Sequence, residues 1–142
     1  MTNNDILRRL RYTFNYEDPA MINIFGLGGY EVTRPQVSNW LKNDRDEEMK
    51  EITDVELAVF LNGLIIEKRG KKDGPLPDPE KELNNNIILR KLKIALNLKD
   101  DDMIAVLKLA DLRVSKPELS AFFRKPGHQH YRTCQDQILR NF

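Results

Sequence analysis

Three side chains of types that hold metal ions lie close together in the stretch HQHYRTC, residues 128–134. His128, His130 and Cys134 are all acceptable zinc ligands, but a structural zinc site needs four ligands at a recognisable spacing. In the internal repeat described below, Cys134 aligns with Ile52, and neither histidine aligns with another histidine. The sequence therefore predicts no metal site, and Cys134 is expected to be a small buried hydrophobic residue.

Catalytic patterns are also missing from the sequence. There is no recognisable Ser/His/Asp or Cys/His set, and no pair of carboxylates in a known frame. The stretch GLGG at residues 26–29 does not follow a strand, so it does not fit a dinucleotide-binding loop. We therefore expect no enzymatic activity and no cofactor.

Two similar stretches, VTRPQVSNWLKN from Val32 and VSKPELSAFFRK from Val114, carry features of a DNA-reading helix. In a helix-turn-helix, the second helix enters the major groove and places exposed polar side chains on base edges. Val32, Val37 and Trp40 have the apolar spacing of that motif, and the second stretch repeats it. Two features expected of the motif are missing in both copies. The preceding helix has Leu27 or Leu109 where a small residue is expected, and the turn has Glu31 or Arg113 where glycine is preferred.

The polar residues of these stretches, with a duplicated basic cluster, form the candidate nucleic-acid-binding set. Arg, Gln and Asn can bond base edges, and Lys and Arg bind phosphates. This hypothesis predicts one continuous basic surface in the second half of the chain, whereas ordinary solvated helix flanks would pair with nearby acids. The candidate residues are Arg34, Gln36, Asn39, Lys42, Arg90, Lys91, Lys93, Lys116 and Arg124.

An internal repeat positions these residues. A shift of 82 positions aligns residues 3–60 with 85–142 without a gap, and 17 of the 58 aligned positions are identical. NNDILRRLR aligns with NNIILRKLK, and Pro35 and Ser38 align with Pro117 and Ser120. Because an internal repeat governs the whole architecture, the sequence predicts two copies of one domain.

Each copy has the periodicity of four helices. Apolar residues recur at helical spacing, and no stretch shows the sustained alternation of a strand. Thr33 with Gln36, and Ser115 with Glu118, are predicted to cap the third helices. In the first copy, a fourth helix is predicted to begin near Thr53.

Acidic and amide residues near other helix starts are predicted to satisfy local backbone groups. Asp18 and Asp100 are expected to be the N-caps of the second helices, because aspartate accepts hydrogen bonds from free backbone N–H groups. The asparagine pairs at residues 3–4 and 85–86 are expected to bond neighbouring backbone groups.

The predicted fold is all-α, with two homologous bundles of about four helices each in tandem and an approximate internal two-fold repeat. The first repeat covers residues 1–69, and a linker with two glycines and three prolines covers 70–83. The second repeat covers 84–142, and its last helix is cut short at Phe142, so either the natural chain continues or another chain completes that face. The copies are expected to pack together, since each has little core alone.

Charge and cysteine content indicate the cellular setting. One cysteine allows no internal disulfide, which is typical of a reducing compartment, so we expect a cytoplasmic protein. There is no run of about 20 apolar residues, and no membrane association is expected. The net charge of +1 divides into −3 for residues 1–70, −1 for 71–84 and +5 for 85–142, which favours an anionic partner at the second half.

The two NN-x-I-L-R-[RK]-L-[RK] openings, together with FLNGLIIEKRG and CQDQILRNF, resemble the bacterial YehS-like proteins, a family of unknown function. The resemblance covers nearly the whole chain. It implies a bacterial cytoplasmic protein built from two helical copies, and it transfers no catalytic residue.

The function expected from the sequence is that of a non-enzymatic binding or adaptor protein. It would act through helix surfaces or the groove between the repeats, with a protein partner or self-association. Such a protein should expose an apolar patch or groove of a few hundred Å². The alternative is a regulatory nucleic-acid-binding protein that uses helix-turn-helix-like third helices.

Overall fold

The computed structural model describes residues 1–142 and contains eight α-helices and no β-strand. The predicted all-α fold with four helices per repeat is therefore confirmed. None of the helices combines the length and the apolar character that crossing a bilayer requires. The helices are α1 (Asn3–Phe14), α2 (Asp18–Leu27), α3 (Arg34–Leu41), α4 (Asp54–Arg69), α5 (Asn85–Ala95), α6 (Asp100–Leu109), α7 (Lys116–Phe122) and α8 (Asp136–Asn141).

The chain forms two compact units, Met1–Leu83 and Asn84–Phe142. The segment between α4 and α5 contains no helix, and its end is fixed to the first unit. There, the backbone N–H of Leu83 donates to a carboxylate oxygen of Asp54 at 2.9 Å. Each unit is described by itself below.

Capping boxes start both third helices, as predicted. The Thr33 hydroxyl accepts from the backbone N–H of Gln36, and the Gln36 side chain accepts from the backbone N–H of Thr33. Ser115 and Glu118 make the same reciprocal pair at the start of α7. The fourth helix of the first unit follows Thr53, which is also part of a capping box.

The predicted capping role of Asp18 and Asp100 is wrong. The N-caps are Glu17 and Lys99, and the two aspartates are the first helical residues of α2 and α6. Their carboxylates instead form ion pairs, Asp18 with Arg34 at 3.2 Å and Asp100 with Lys93 at 2.6 Å. A carboxylate in the first turn still favours the helix, because it complements the positive end of the helix dipole.

The core of the first unit is built around α4. Every residue from Leu57 to Leu64 is buried, so this helix is covered on all sides rather than along one stripe. The Phe25 ring contacts the Phe60 and Trp40 rings, at centroid distances of 5.0 and 5.2 Å.

Two glycines let α2 and α4 approach closely. A Cβ atom at Gly63 would lie 1.9 Å from the carbonyl oxygen of Ile24. One at Gly28 would lie 2.1 Å from the carbonyl oxygen of Val59. Both distances are far below van der Waals contact, so the backbones of the two helices meet where no side chain fits.

The second unit repeats this arrangement with a shorter last helix. Leu89, Met103, Leu107 and Leu119 are fully buried at its centre. Helix α8 has 6 residues where α4 has 16. In the first unit α2 packs extensively against both α3 and α4, whereas in the second α6 packs extensively only against α7.

Candidate functional site

A buried asparagine in each unit holds the loop that follows the third helix. The Asn4 side-chain amide donates to the carbonyl oxygens of Trp40 at 2.9 Å and Lys50 at 2.7 Å. Its oxygen accepts from the backbone N–H of Ile52 at 3.2 Å. One side chain on α1 therefore fixes the end of α3 and the end of the loop before α4.

Asn86 makes the same three bonds in the second unit. Its amide donates to the carbonyl oxygens of Phe122 at 3.0 Å and Arg132 at 2.8 Å, and its oxygen accepts from Cys134 N–H at 2.9 Å. The expectation of local backbone bonds is therefore wrong for both residues. Their partners lie 36 to 48 positions away, because burial favours bonds to the otherwise unsatisfied loop backbone.

The predicted reading residues of the first unit are engaged in local contacts. Arg34 pairs with Asp18, and the Gln36 side chain completes the capping box. The Lys42 ammonium group donates to Asn39 at 3.0 Å and forms an ion pair with Glu48 at 2.5 Å. Both cations of this set, Arg34 and Lys42, are therefore in ion pairs with acids.

In the second unit two of the candidate cations form ion pairs with acids. Lys93 pairs with Asp100 and lies 4.7 Å from the centre of the Phe123 ring, while Lys116 pairs with Asp101 at 3.6 Å. Lys91 is half-buried on α5, and Arg90 and Arg124 are exposed. Nucleic-acid binding by the third helices stays a prediction, and the ion pairs remove part of its electrostatic support.

The loops after the third helices share one backbone conformation. In the second unit the N–H groups of His128, Tyr131 and Arg132 donate to the carbonyl oxygens of Lys125, His128 and Ala121, respectively, at 2.8, 3.0 and 3.1 Å. All three bonds have equivalents in the first unit, shifted by 82 positions. They link Asp46 to Asn43, Met49 to Asp46 and Lys50 to Asn39.

The same two loops carry opposite charge. Residues 42–51 contain three cations and five acids, whereas residues 124–133 contain three cations and no acid. Asp46 and Glu48 of the first loop are replaced by His128 and His130 in the second. Because the backbone is the same in both loops, folding does not require either charge pattern.

A nearby arginine also loses its acidic partners in the second unit. Arg8 donates to the carbonyl oxygen of Lys42 at 2.6 Å, and it pairs with Asp5 at 2.9 Å and Asp44 at 3.0 Å. Its counterpart Arg90 donates to the carbonyl oxygen of Phe123. The positions of the two acids hold Ile87 and Pro126, so the Arg90 charge is not neutralised.

An apolar face of α6 lies open to solvent. Leu109 is 88 % exposed, whereas its counterpart Leu27 is half-buried. Val106 is half-buried, although its counterpart Ile24 is only 1 % exposed beneath α4. Helix α6 makes no extensive contact with α8, whereas α2 packs extensively against α4.

A shallow depression of about 480 Å³ lies on the other side of α6, against α7. It is lined by apolar Ile104, Leu112 and Val114 and by charged Lys108, Arg113 and Glu118. Glu118 is held in the capping box, where hydrogen bonds from Ser115 lower the pKa of its carboxyl group. Ser115 also lines the depression, and its hydroxyl accepts from the Glu118 backbone N–H at 3.2 Å.

The histidines and the cysteine of the sequence motif do not form one cluster. The rings of His128 and His130 are 5.4 Å apart, and the His130 N–H donates to the His128 ring nitrogen Nδ1 at 3.0 Å. Cys134 is instead in the core, 1 % exposed, as the sequence predicted. No group of three or more His, Cys, Asp or Glu side chains is placed to hold a metal ion.

We expect the Cys134 thiol to be unreactive in the folded protein. Burial, and then the nearby Asp136 charge, raise its pKa from 9.0 to about 11, so little thiolate forms at pH 8. Labelling with a disulfide reagent at pH 8 should be at least ~100-fold slower in buffer than in denaturant. The neutral thiol also stabilises the fold below pH 9, and this contribution should be lost as the pH rises towards 11.

The sequence contained signals that point to two of these surfaces. Aligning the copies shows the loss of acids around Arg90 and in residues 124–133, which the HQHYRTC motif alone does not reveal. The asparagine contacts gave no sequence signal beyond their repetition, since a side-chain amide does not reveal which distant carbonyl it will bond.

Comparison with known proteins gives one family and one curated relative. The family model described as "Protein of unknown function (DUF1456)" matches residues 3–70 and 85–142. The protein named "Uncharacterized protein YehS" from Escherichia coli (strain K12) is 45 % identical over 143 residues, covering 100 % of this chain and 92 % of that protein. No solved structure matches.

Proposed function

This chain belongs to the DUF1456 family of proteins of unknown function, and we propose that it is a non-enzymatic cytosolic binding protein that holds a largely apolar helix of a protein partner against α6. The observation that carries the proposal is the apolar side of α6 around Leu109, which is 88 % exposed. Leu109 lies with half-buried Val106 on the same side of α6, and contiguous exposed apolar surface is typical of an interaction site.

The first unit indicates the kind of partner that fits. There, α4 packs against the equivalent side of α2, and it is a helix that is buried and mostly apolar from Leu57 to Leu64 and ends in Glu67, Lys68 and Arg69. Because the units are homologous, we infer that a helix of similar character fits the open side of α6. Helices in grooves are a common mode of peptide recognition.

A peptide with the sequence of residues 60–70, FLNGLIIEKRG, labelled with fluorescein, tests this proposal directly. We expect saturable binding in an anisotropy titration with the intact protein, and Leu109→Asp should weaken it by ~10-fold or more. Burying one leucine contributes about 1.5–3 kcal/mol, which corresponds to this range. Tyr12→Asp is the matched control, since Tyr12 is an exposed apolar residue on α1.

Equal affinity of the wild-type protein and Leu109→Asp would contradict the proposed face, and absence of binding up to about 1 mM peptide would contradict a helix as the occupant. Sedimentation of the protein alone separates a third case. If wild type forms a dimer that Leu109→Asp dissociates, the occupant is a second copy of the chain and the partner-helix proposal fails.

A further inference from the structure

A basic loop at residues 124–132, RKPGHQHYR, follows the third helix of the second unit. We infer that this basic loop, with Arg90 beside it, is a contact surface for single-stranded nucleic acid. The inference is independent of the helix-binding face on α6, because it rests on other residues and on another kind of partner.

The cations of the basic loop are available to a ligand. Arg124, Lys125 and Arg132 are exposed, and none of them forms an ion pair. The Arg132 guanidinium donates only to the adjacent carbonyl of Tyr131, at 2.9 Å. Arg90 adds a fourth cation next to Arg124, because it donates to the carbonyl oxygen of Phe123. Unpaired cations of this kind release counterions when they bind phosphates.

The backbone holds these cations in one region rather than along a free chain. Two turns close the loop, through the N–H groups of His128 and Tyr131. Its end returns to α7, since Arg132 donates to Ala121, and the buried Asn86 amide binds the Arg132 carbonyl. Arg124 and Arg132 are therefore brought back towards each other, and less ordering entropy is lost on binding.

The first unit shows that the basic character is not a requirement of folding. Its loop has the same three backbone hydrogen bonds and the same asparagine clamp, yet it carries an excess of acids. Lys42 and Arg8 are neutralised there by Glu48, Asp44 and Asp5. A scaffold that accepts either charge has been made basic in one copy only, which indicates selection for a negatively charged ligand.

The rings of the basic loop favour a single strand over a duplex. His128 and His130 are exposed, with ring centres 5.4 Å apart, and the half-buried Tyr131 follows them. Cations interleaved with exposed rings can bind a backbone and stack on its bases, as in single-strand binding proteins. A duplex hides its base faces, and a membrane surface would call for exposed apolar side chains that this loop lacks.

The test is anisotropy binding of a fluorescein-labelled 20-nucleotide oligouridine and of a 20-base-pair duplex, from low to physiological salt. We expect the wild type to prefer the single strand. The triple variant Arg124→Gln/Lys125→Gln/Arg132→Gln should lose ~10-fold or more in affinity at low salt. Its log–log salt slope should fall by ~2, since each lost phosphate contact removes about 0.7.

The homologous loop provides the controls. Arg45→Gln/Lys50→Gln removes two cations from the acidic loop and should leave binding within about twofold. Pro126→Asp/His128→Asp/His130→Glu gives the basic loop three of the five acids of its counterpart, Asp44, Asp46 and Glu48. This variant should abolish binding without lowering the melting temperature, because the first unit has the same backbone with those residues.

Three results would overturn the inference. They are absence of single-strand binding at low salt, equal loss of affinity in the control variant and the triple variant, and tighter binding of the duplex than of the single strand. A preference for the duplex would return the search to the third helices.

Discussion

Gly63→Ala should lower the free energy of unfolding of the first unit by at least ~3 kcal/mol, beyond the usual cost of overpacking. The added Cβ would lie 1.9 Å from the Ile24 carbonyl oxygen, 2.9 Å from its carbon and 3.1 Å from the Gly28 nitrogen. These are backbone atoms of α2, so no side-chain rotation relieves the clash. The two helices would have to separate, and the buried apolar surface between them would be lost.

Urea unfolding followed by tryptophan fluorescence measures this effect, because Trp40 is the only tryptophan and is buried in the first unit. Gly26→Ala is the matched control. Gly26 is exposed in α2, and a Cβ there would meet nothing within 4 Å. Alanine should stabilise the helix there by ~0.5–1 kcal/mol through its higher helix propensity. Equal midpoints for the two variants would show that the α2–α4 crossing is not as close as described.

Asn4→Asp should lower the free energy of unfolding of the first unit by about 3 kcal/mol or more, although it changes hardly any volume. The Asn4 amide group is the donor to the Trp40 and Lys50 carbonyl oxygens, and an ionised aspartate has no donor to replace it. Each buried group that loses its partner costs about 1–3 kcal/mol, and the added buried charge costs more.

The same urea titration measures this second effect, and Asn23→Asp is its control. Asn23 is exposed on α2, so the identical substitution there should stay within about 0.5 kcal/mol of wild type. If Asn4→Asp were as stable as Asn23→Asp, the hydrogen bonds of Asn4 to the loop backbone would not contribute to the stability of the first unit. The equivalent experiment at Asn86 can be followed by the labelling rate of Cys134, whose N–H bonds to the Asn86 oxygen at 2.9 Å.

Local patterns predicted the helices and their order. The capping boxes at Thr33 and Ser115 depend on residues three positions apart, so the sequence contains all of the interacting groups. Asn15 and Asn97, which align in the repeat, both have positive φ angles, 54° and 53°. Asparagine tolerates this left-handed conformation better than most residues. The repeat therefore predicted a shared backbone as well as a shared helix order.

The sequence by itself determined an all-α fold of two homologous units. Helix periodicity and capping depend on residues a few positions apart, and the ungapped repeat is visible when the sequence is aligned with itself. Only the tertiary structure decided what Asn4, Asn86, Asp18 and Asp100 do, because their partners lie on other elements. It also decided which cations are neutralised, since ion pairs such as Lys42 with Glu48 depend on distances that a sequence does not contain. Leu109 and the cations of the basic loop stay exposed after folding, and the two proposals rest on these surfaces.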